Sequence, residues 1–155
     1  MQLRVVATFL SACFLSACSA GVEKSPSSTA PSTTAPTDAK VWFEGSFAEG
    51  LAQARADKKL VFVDVFTTWC GPCKKLEKVT FPHADVKPVL AQMVSMSIDA
   101  ESPAGLPIAA KYNVNAYPTM LVLGADGQEI DRIVGFKDPP AFLAALEKIR
   151  ARAPR

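Results

Sequence analysis

The sequence predicts an α/β fold, a central mixed β-sheet flanked by helices on both faces, and three observations predict it. The run Leu60-Val61-Phe62-Val63-Asp64-Val65-Phe66 is apolar except for one carboxylate, as expected of a central strand covered on both faces. Segments of helical pattern alternate with strand-like runs, which layers helices against a sheet. Near the end, two strand-like runs are joined by Gly124-Ala125-Asp126-Gly127, a hairpin turn that makes the last two strands antiparallel and the sheet mixed.

The elements follow in chain order. Ser46-Phe47-Ala48-Glu49 is a capping box, and Leu51, Ala52 and Ala54 continue a helix that ends near Asp57-Lys58-Lys59. The strand Leu60 to Phe66 comes next, and Lys74-Lys75-Leu76-Glu77-Lys78 reads as helix. Pro82 interrupts, and Asp85 is placed to cap a second stretch with Pro88 in its first turn and Val89, Leu90 and Met93 facing inward. A strand from Val94 to Ile98 and a short helix from Pro107 to Tyr112 lead to the hairpin of Met120 to Leu123 with Glu129 to Val134. Pro139 opens a closing amphipathic helix with Phe142, Leu143, Leu146 and Ile149 on one side and Glu147, Lys148 and Arg150 on the other. With 155 residues the chain buries one good core, so one domain suffices.

Trp69-Cys70-Gly71-Pro72-Cys73 places two thiols three residues apart between a strand and a helix. If the helix begins at the motif, Cys70 caps its N-terminus and Cys73 lies one turn further in on nearly the same face, within disulfide range. Unpaired N–H groups and the positive end of the dipole favour thiolate at Cys70, the attacking sulfur, and the more enclosed Cys73 resolves the mixed disulfide. Pro72 is tolerated because the first turn has no intrahelical N–H bonds to lose. A zinc site would need two more ligands, whereas the chain has one histidine, His83, and its other cysteines lie in an N-terminal targeting segment. A stapling disulfide is little needed where a real core exists.

Asp64 sits in the apolar strand six residues before Cys70, where an unpaired charge is costly and burial raises the pKa. A carboxylate so perturbed could take the Cys73 proton during resolution; the other reading is an edge-strand aspartate facing water. Glu77, four residues after Cys73, either adds a second negative charge near the thiols or is an ordinary solvated residue among Lys74, Lys75 and Lys78. Tyr117-Pro118 precedes a strand and is a candidate cis bond, although sequence pattern alone favours an ordinary trans proline.

These residues resemble the thioredoxin family over about Lys40 to Arg150. Trp69-Cys70-Gly71-Pro72-Cys73-Lys74 reproduces the thioredoxin active-site sequence, and Asp64, Pro118 and Gly135 fall on the family's buried aspartate, cis-proline and strand-ending glycine. The resemblance implies a thioredoxin fold, thiol:disulfide exchange without a cofactor or metal, and substrate contacts at Trp69, Gly71, Pro72, Tyr117 and Pro118. Leu76 to Phe81 and Val134 to Asp138 are closer to the C-terminal periplasmic domain of the membrane disulfide reductase DsbD, which implies that Glu77 acts with Asp64 to tune the cysteines. The chain departs from that domain in carrying Gly-Pro between the cysteines, and from thioredoxin in placing Ser95 where a lysine lies near the buried aspartate.

Residues 1–18 have the layout of an export signal, too short for a membrane span. Leu-Ser-Ala-Cys resembles a bacterial lipoprotein processing site and occurs twice, ending at Cys13 and Cys18; only the second follows an apolar stretch of usual length, so Cys18 is the expected lipidated residue, with cleavage after Ala20 as the alternative. Residues 19–39 are rich in Ser, Thr and Pro and form an expected disordered tether reaching on the order of 25 Å. Residues 40–152 form the expected thioredoxin-like domain, a monomer. A net charge of +2 argues against nucleic acid.

The expected function is a lipid-anchored, envelope-located oxidoreductase, mainly a reductase, passing electrons from Cys70 and Cys73 to disulfides of exported proteins. Its implied partners are those proteins, a membrane surface and an upstream membrane electron donor of DsbD type. The alternative is a Cu(I)-binding dithiol, for which Met93, Met96, Met120 and His83 could complete the soft ligand set.

Overall fold

The structure is a computed structural model and describes residues 41–153. The expected signal, Cys18 and the tether lie outside the described residues. The elements are α1 (Phe47–Asp57), β1 (Val61–Phe66), α2 (Gly71–Lys75) running into a π-helical turn (Leu76–Thr80), α3 (Val86–Ala91), β2 (Val94–Asp99), α4 (Leu106–Lys111), β3 (Thr119–Leu123), β4 (Glu129–Val134) and α5 (Pro139–Arg150).

The strands form one sheet in the order β2-β1-β3-β4. β1 pairs parallel with β2 and antiparallel with β3, and β3 pairs antiparallel with β4, so the sheet is mixed. β1 is central, which excludes the edge-strand reading of Asp64. Its side chains alternate between faces, as the two-residue period of a strand requires. Val61, Val63 and Val65 join Leu51, Ala109 and Leu121 in one core cluster, while Phe62 joins Leu76, Leu90, Met120, Phe142 and Leu146 in the other. Asp64 shares the parity of Phe62, so it points to the face that carries α2.

Local chemistry explains several element ends. Both halves of the capping box form at α1, with the Glu49 N–H donating to Ser46 Oγ and the Ser46 N–H donating to Glu49 Oε2. Lys58 ends that helix in the left-handed region at φ 54°. Asp138 caps α5 through Oδ1, which accepts from the Ala141 N–H at 2.9 Å. Asp85 occupies the position before α3, but its side chain makes no cap, contrary to expectation. Its backbone is helical there (φ −84°, ψ −23°) rather than extended, so the carboxylate is not aimed back at the free N–H groups.

The two segments singled out as DsbD-like meet in space. Thr80, fully buried at the end of the π-helical turn, donates its hydroxyl to the Lys137 carbonyl at 2.7 Å. Lys75 Nζ stands 4.2 Å from the centroid of the Phe136 ring. The helix that follows the dithiol is thereby fastened to the β4–α5 connection. On the same face Trp42, Phe62, Phe81 and Phe142 pack with tilted and edge-to-face geometry, their centroids 5.2 to 6.4 Å apart.

Candidate active site

β1 delivers the chain to the site and Thr67-Thr68-Trp69 turns it into α2. The Cys70 N–H closes this turn on the Thr67 carbonyl at 3.1 Å. Cys70 is the N-cap of α2 and Cys73 stands one turn in; they are joined as a disulfide with Cα atoms 5.3 Å apart. The Cys73 N–H donates to Cys70 Sγ at 3.1 Å, so the Cys70 sulfur occupies the place of a helix-capping acceptor. Once reduced, that N–H and the positive end of the helix favour negative charge on this sulfur rather than on Cys73.

Both cysteines are buried, at 3% exposure for Cys70 and 6% for Cys73. Cys73 is therefore not the more enclosed residue in the oxidised state. What separates them is their surroundings. Cys73, with Asp64, Thr67, Lys74, Glu77 and Ser97, lines a cavity of about 410 Å3 that Trp42 and Phe81 help to wall.

Asp64 is 6% exposed, and burial pushes its carboxyl up to about 7. A hydrogen bond from Ser97 Oγ to Oδ2, at 3.5 Å, opposes the rise, and the nearby Glu77 carboxylate adds to it. Asp64 Oδ1 and Thr67 Oγ1 are buried without a hydrogen-bond partner among the described residues. Glu77 is exposed at the cavity's edge.

Ser97, not Ser95, faces the buried aspartate. The parallel register sets Asp64 opposite Ser97 and Phe62 opposite Ser95. The Ser95 hydroxyl donates instead to the Leu90 carbonyl at 2.9 Å, tying β2 to the end of α3.

The Tyr117–Pro118 bond is cis, as the family resemblance implied and the sequence pattern alone did not. Pro118 is buried at the start of β3, and its carbonyl accepts from the Gly135 N–H at 2.8 Å. Gly135 has φ +79°, a left-handed conformation that glycine adopts without strain. Trp69 is 66% exposed, packs edge-on against Tyr117 at 6.1 Å, and donates its indole N–H to Glu101 Oε1 at 3.0 Å. Gly71 and Pro72 are exposed in the first turn. The structure thus gathers Trp69, Cys70, Gly71, Pro72, Cys73 and Tyr117-Pro118 at one end of the sheet, with Asp64 and Glu77 beside Cys73.

The methionines do not converge on the thiols. Met93 and Met120 belong to one core cluster and Met96 to the other, on the opposite face of the sheet, and His83 is exposed beside Asp85. No group of three or more His, Cys, Asp or Glu side chains among the described residues is placed to hold a metal ion.

A helix-capping Cys-x-x-Cys disulfide on a mixed sheet, with a cis proline at the start of the neighbouring strand, defines a thiol:disulfide oxidoreductase. The chain belongs to the thioredoxin-like domain family, whose pattern matches residues 47–150. It is 36% identical over 107 residues to the thiol:disulfide interchange protein DsbD of Pseudoalteromonas atlantica, a match that covers 66% of this chain and 18% of that protein. A thioredoxin of Chlamydia caviae is 39% identical over 90 residues, covering 57% of this chain and 81% of the relative. Among solved structures, a candidate disulphide-isomerase from Bacteroides thetaiotaomicron superimposes with a TM-score of 0.64 and 38% identity, covering 73% of this chain and 94% of that one. The C-terminal domain of Neisseria meningitidis DsbD in its oxidised form shares the fold, with a TM-score of 0.57 and 21% identity over 66% of this chain and 91% of its own.

Four side chains at the site carried no signal strong enough to be singled out: Trp42, Thr67, Ser97 and Glu101. Thr67 lies between a buried strand and the dithiol, which is a local hint. Ser97 and Glu101 reach the site only through strand pairing and a loop, which no local pattern encodes.

Proposed function

We propose that this chain is a reductase of the cell envelope, held at a membrane surface by lipidated Cys18 and a tether of residues 19–39. Cys70, as thiolate, attacks a substrate disulfide, forming a mixed disulfide and expelling one substrate sulfur as thiolate. The Cys73 thiol gives its proton to Asp64 and attacks Cys70 Sγ. The bond to the substrate breaks, its second sulfur leaves as thiolate, and the protein is left with the Cys70–Cys73 disulfide. Two electrons have passed to the substrate, whose sulfurs take up two protons. Trp69 and Tyr117 offer an aromatic face to the substrate. An extended peptide would meet the backbone of the Tyr117-Pro118 segment, where the Pro118 carbonyl already accepts from the Gly135 N–H.

One observation carries the direction: two carboxyl groups, Asp64 and Glu77, stand in the cavity that Cys73 lines. Negative charge there disfavours a second thiolate and so raises the energy of the reduced form, which makes the dithiol a better electron donor. Strong oxidants of this chemistry owe their potential to the opposite arrangement, a stabilised reduced form. Similarity to DsbD supports a periplasmic setting, exported proteins as substrates and a membrane donor of DsbD type to keep the dithiol reduced.

Equilibration with a glutathione or dithiothreitol buffer measures the potential. The expected value lies near the thioredoxin range of about −270 mV, and one near the DsbA range of about −120 mV overturns the reductase assignment. In cells, Cys73→Ala should accumulate mixed disulfides through Cys70, with exported proteins among the trapped partners. Cys18→Ser should move the protein from the membrane to the soluble fraction.

A further inference from the structure

Thr67 holds a place that packing does not explain. Its side chain is 1% exposed and its Oγ1 has no hydrogen-bond partner among the described residues. A valine of nearly the same shape would fill that position without stranding a hydroxyl, and a buried polar group left unpaired is destabilising. The other such atom among the described residues is Asp64 Oδ1, three residues earlier, and both residues line the cavity beside Cys73. One water needs roughly 10–15 Å3 and two or more polar partners. The cavity, about 410 Å3, supplies room, and the two orphaned oxygens supply partners.

We propose that Thr67 is a positioning residue of the exchange reaction: its hydroxyl and Asp64 Oδ1 hold one water between them, and with Ser97 on Oδ2 this water fixes the pH at which Asp64 accepts the Cys73 proton. The inference rests on the assignment of Asp64 as proton acceptor. A water anchored by Thr67 donates to Oδ1 while Ser97 donates to Oδ2, and both hydrogen bonds favour the ionised carboxylate. They offset part of the burial that pushes the other way. The titratable and charged groups around the cavity are Cys73, Lys74 and Glu77, all from the active-site helix. β2 contributes the uncharged Ser97, and β3 sets the uncharged Met120 opposite Asp64.

The test isolates resolution from substrate choice. The reduced full chain, with Cys13 and Cys18 replaced by serine so that Cys70 and Cys73 are its two thiols, is mixed with an aromatic disulfide that releases a coloured thiolate; the first release reports attack by Cys70 and the second reports attack by Cys73. The rate of the second release is followed against pH in wild type, Asp64→Asn, Thr67→Val, Thr67→Ser and Ser97→Ala. In wild type the rate should climb through the Asp64 value of about 7. Asp64→Asn should abolish that limb, Thr67→Val and Ser97→Ala should each move it up by about one pH unit, and Thr67→Ser should restore it. A limb that survives in Asp64→Asn overturns the proton-acceptor assignment itself. A limb lost in Asp64→Asn but unmoved or lowered in Thr67→Val overturns the role of Thr67 alone, because a merely structural threonine would alter stability without moving the limb. Should the valine variant not fold, Thr67→Ala, which removes the same anchor, takes its place with the same expected shift.

Discussion

Replacing Asp64 by asparagine should make the oxidised protein more stable at neutral and alkaline pH while lowering its activity. In the folded protein this carboxyl titrates near 7, against 3.8 for an unperturbed aspartate. Between those values the folded state binds more protons than the unfolded state, so stability is present in full in acid and is lost as pH rises through the folded value. The gap of about three units corresponds to a total of about 4 kcal/mol, of which about 2–3 kcal/mol is lost between about pH 5 and about pH 8. Asparagine cannot ionise, so its contribution should be flat over that range. Glu49, the other carboxyl among the described residues with a clear shift, is lowered by its capping bonds and acts in more acid solution. Urea unfolding of the oxidised protein, with wild type and Asp64→Asn compared at the two pH values, reads the effect. For a slope of about 1–3 kcal/mol per molar, the wild-type midpoint should fall by about 0.7–3 M more than that of the variant. Parallel behaviour of the two proteins would show that Asp64 is not held neutral by burial and would remove the basis for its role as proton acceptor.

Glu77→Gln removes a like charge facing Asp64 and should lower the resolution limb by less than about one pH unit, read in the same two-step release assay. Thr80→Val deletes the buried hydroxyl bond to the Lys137 carbonyl and should cost about 1–3 kcal/mol in urea unfolding. Gly105→Ala would place a Cβ 1.9 Å from the Asp99 carbonyl oxygen, forcing the loop that carries Glu101 to move. A stability loss of about 1–3 kcal/mol is expected, together with loss of the Trp69 indole N–H signal characteristic of its bond to Glu101.

The strand-to-helix setting of the dithiol was legible because two different periodicities meet at Trp69: an unbroken apolar run before it and a helical pattern after it. Asp64 was legible for the same reason, since one carboxylate inside such a run has no water to face. Its partner was not. Ser95 and Ser97 are two residues apart and share a face of β2, so alternation cannot choose between them, and only the parallel register does. The cis Tyr117–Pro118 bond escaped pattern reading because the dipeptide is equally compatible with a trans strand start; resemblance to a family, not local propensity, pointed to it. Asp85 misled for the converse reason. A capping residue type stood in the right place, and the backbone angles there were taken by the turn that leaves Pro82.

Trp42 sets the boundary of the working unit. It bridges to Ser95 at the edge of β2, packs 5.2 Å from Phe81, and helps to wall the cavity that Asp64 lines. The family match begins at residue 47, so a chain trimmed to it would keep both cysteines, Asp64 and Pro118 yet lose this wall. Water would then reach the cavity more easily, the proton affinity of its carboxyl would shift toward that of an ordinary aspartate, and the trimmed protein should exchange disulfides with a different pH response from the intact one. Swapping such domains between proteins by their matched limits alone would therefore transplant the sulfurs without the environment that times them.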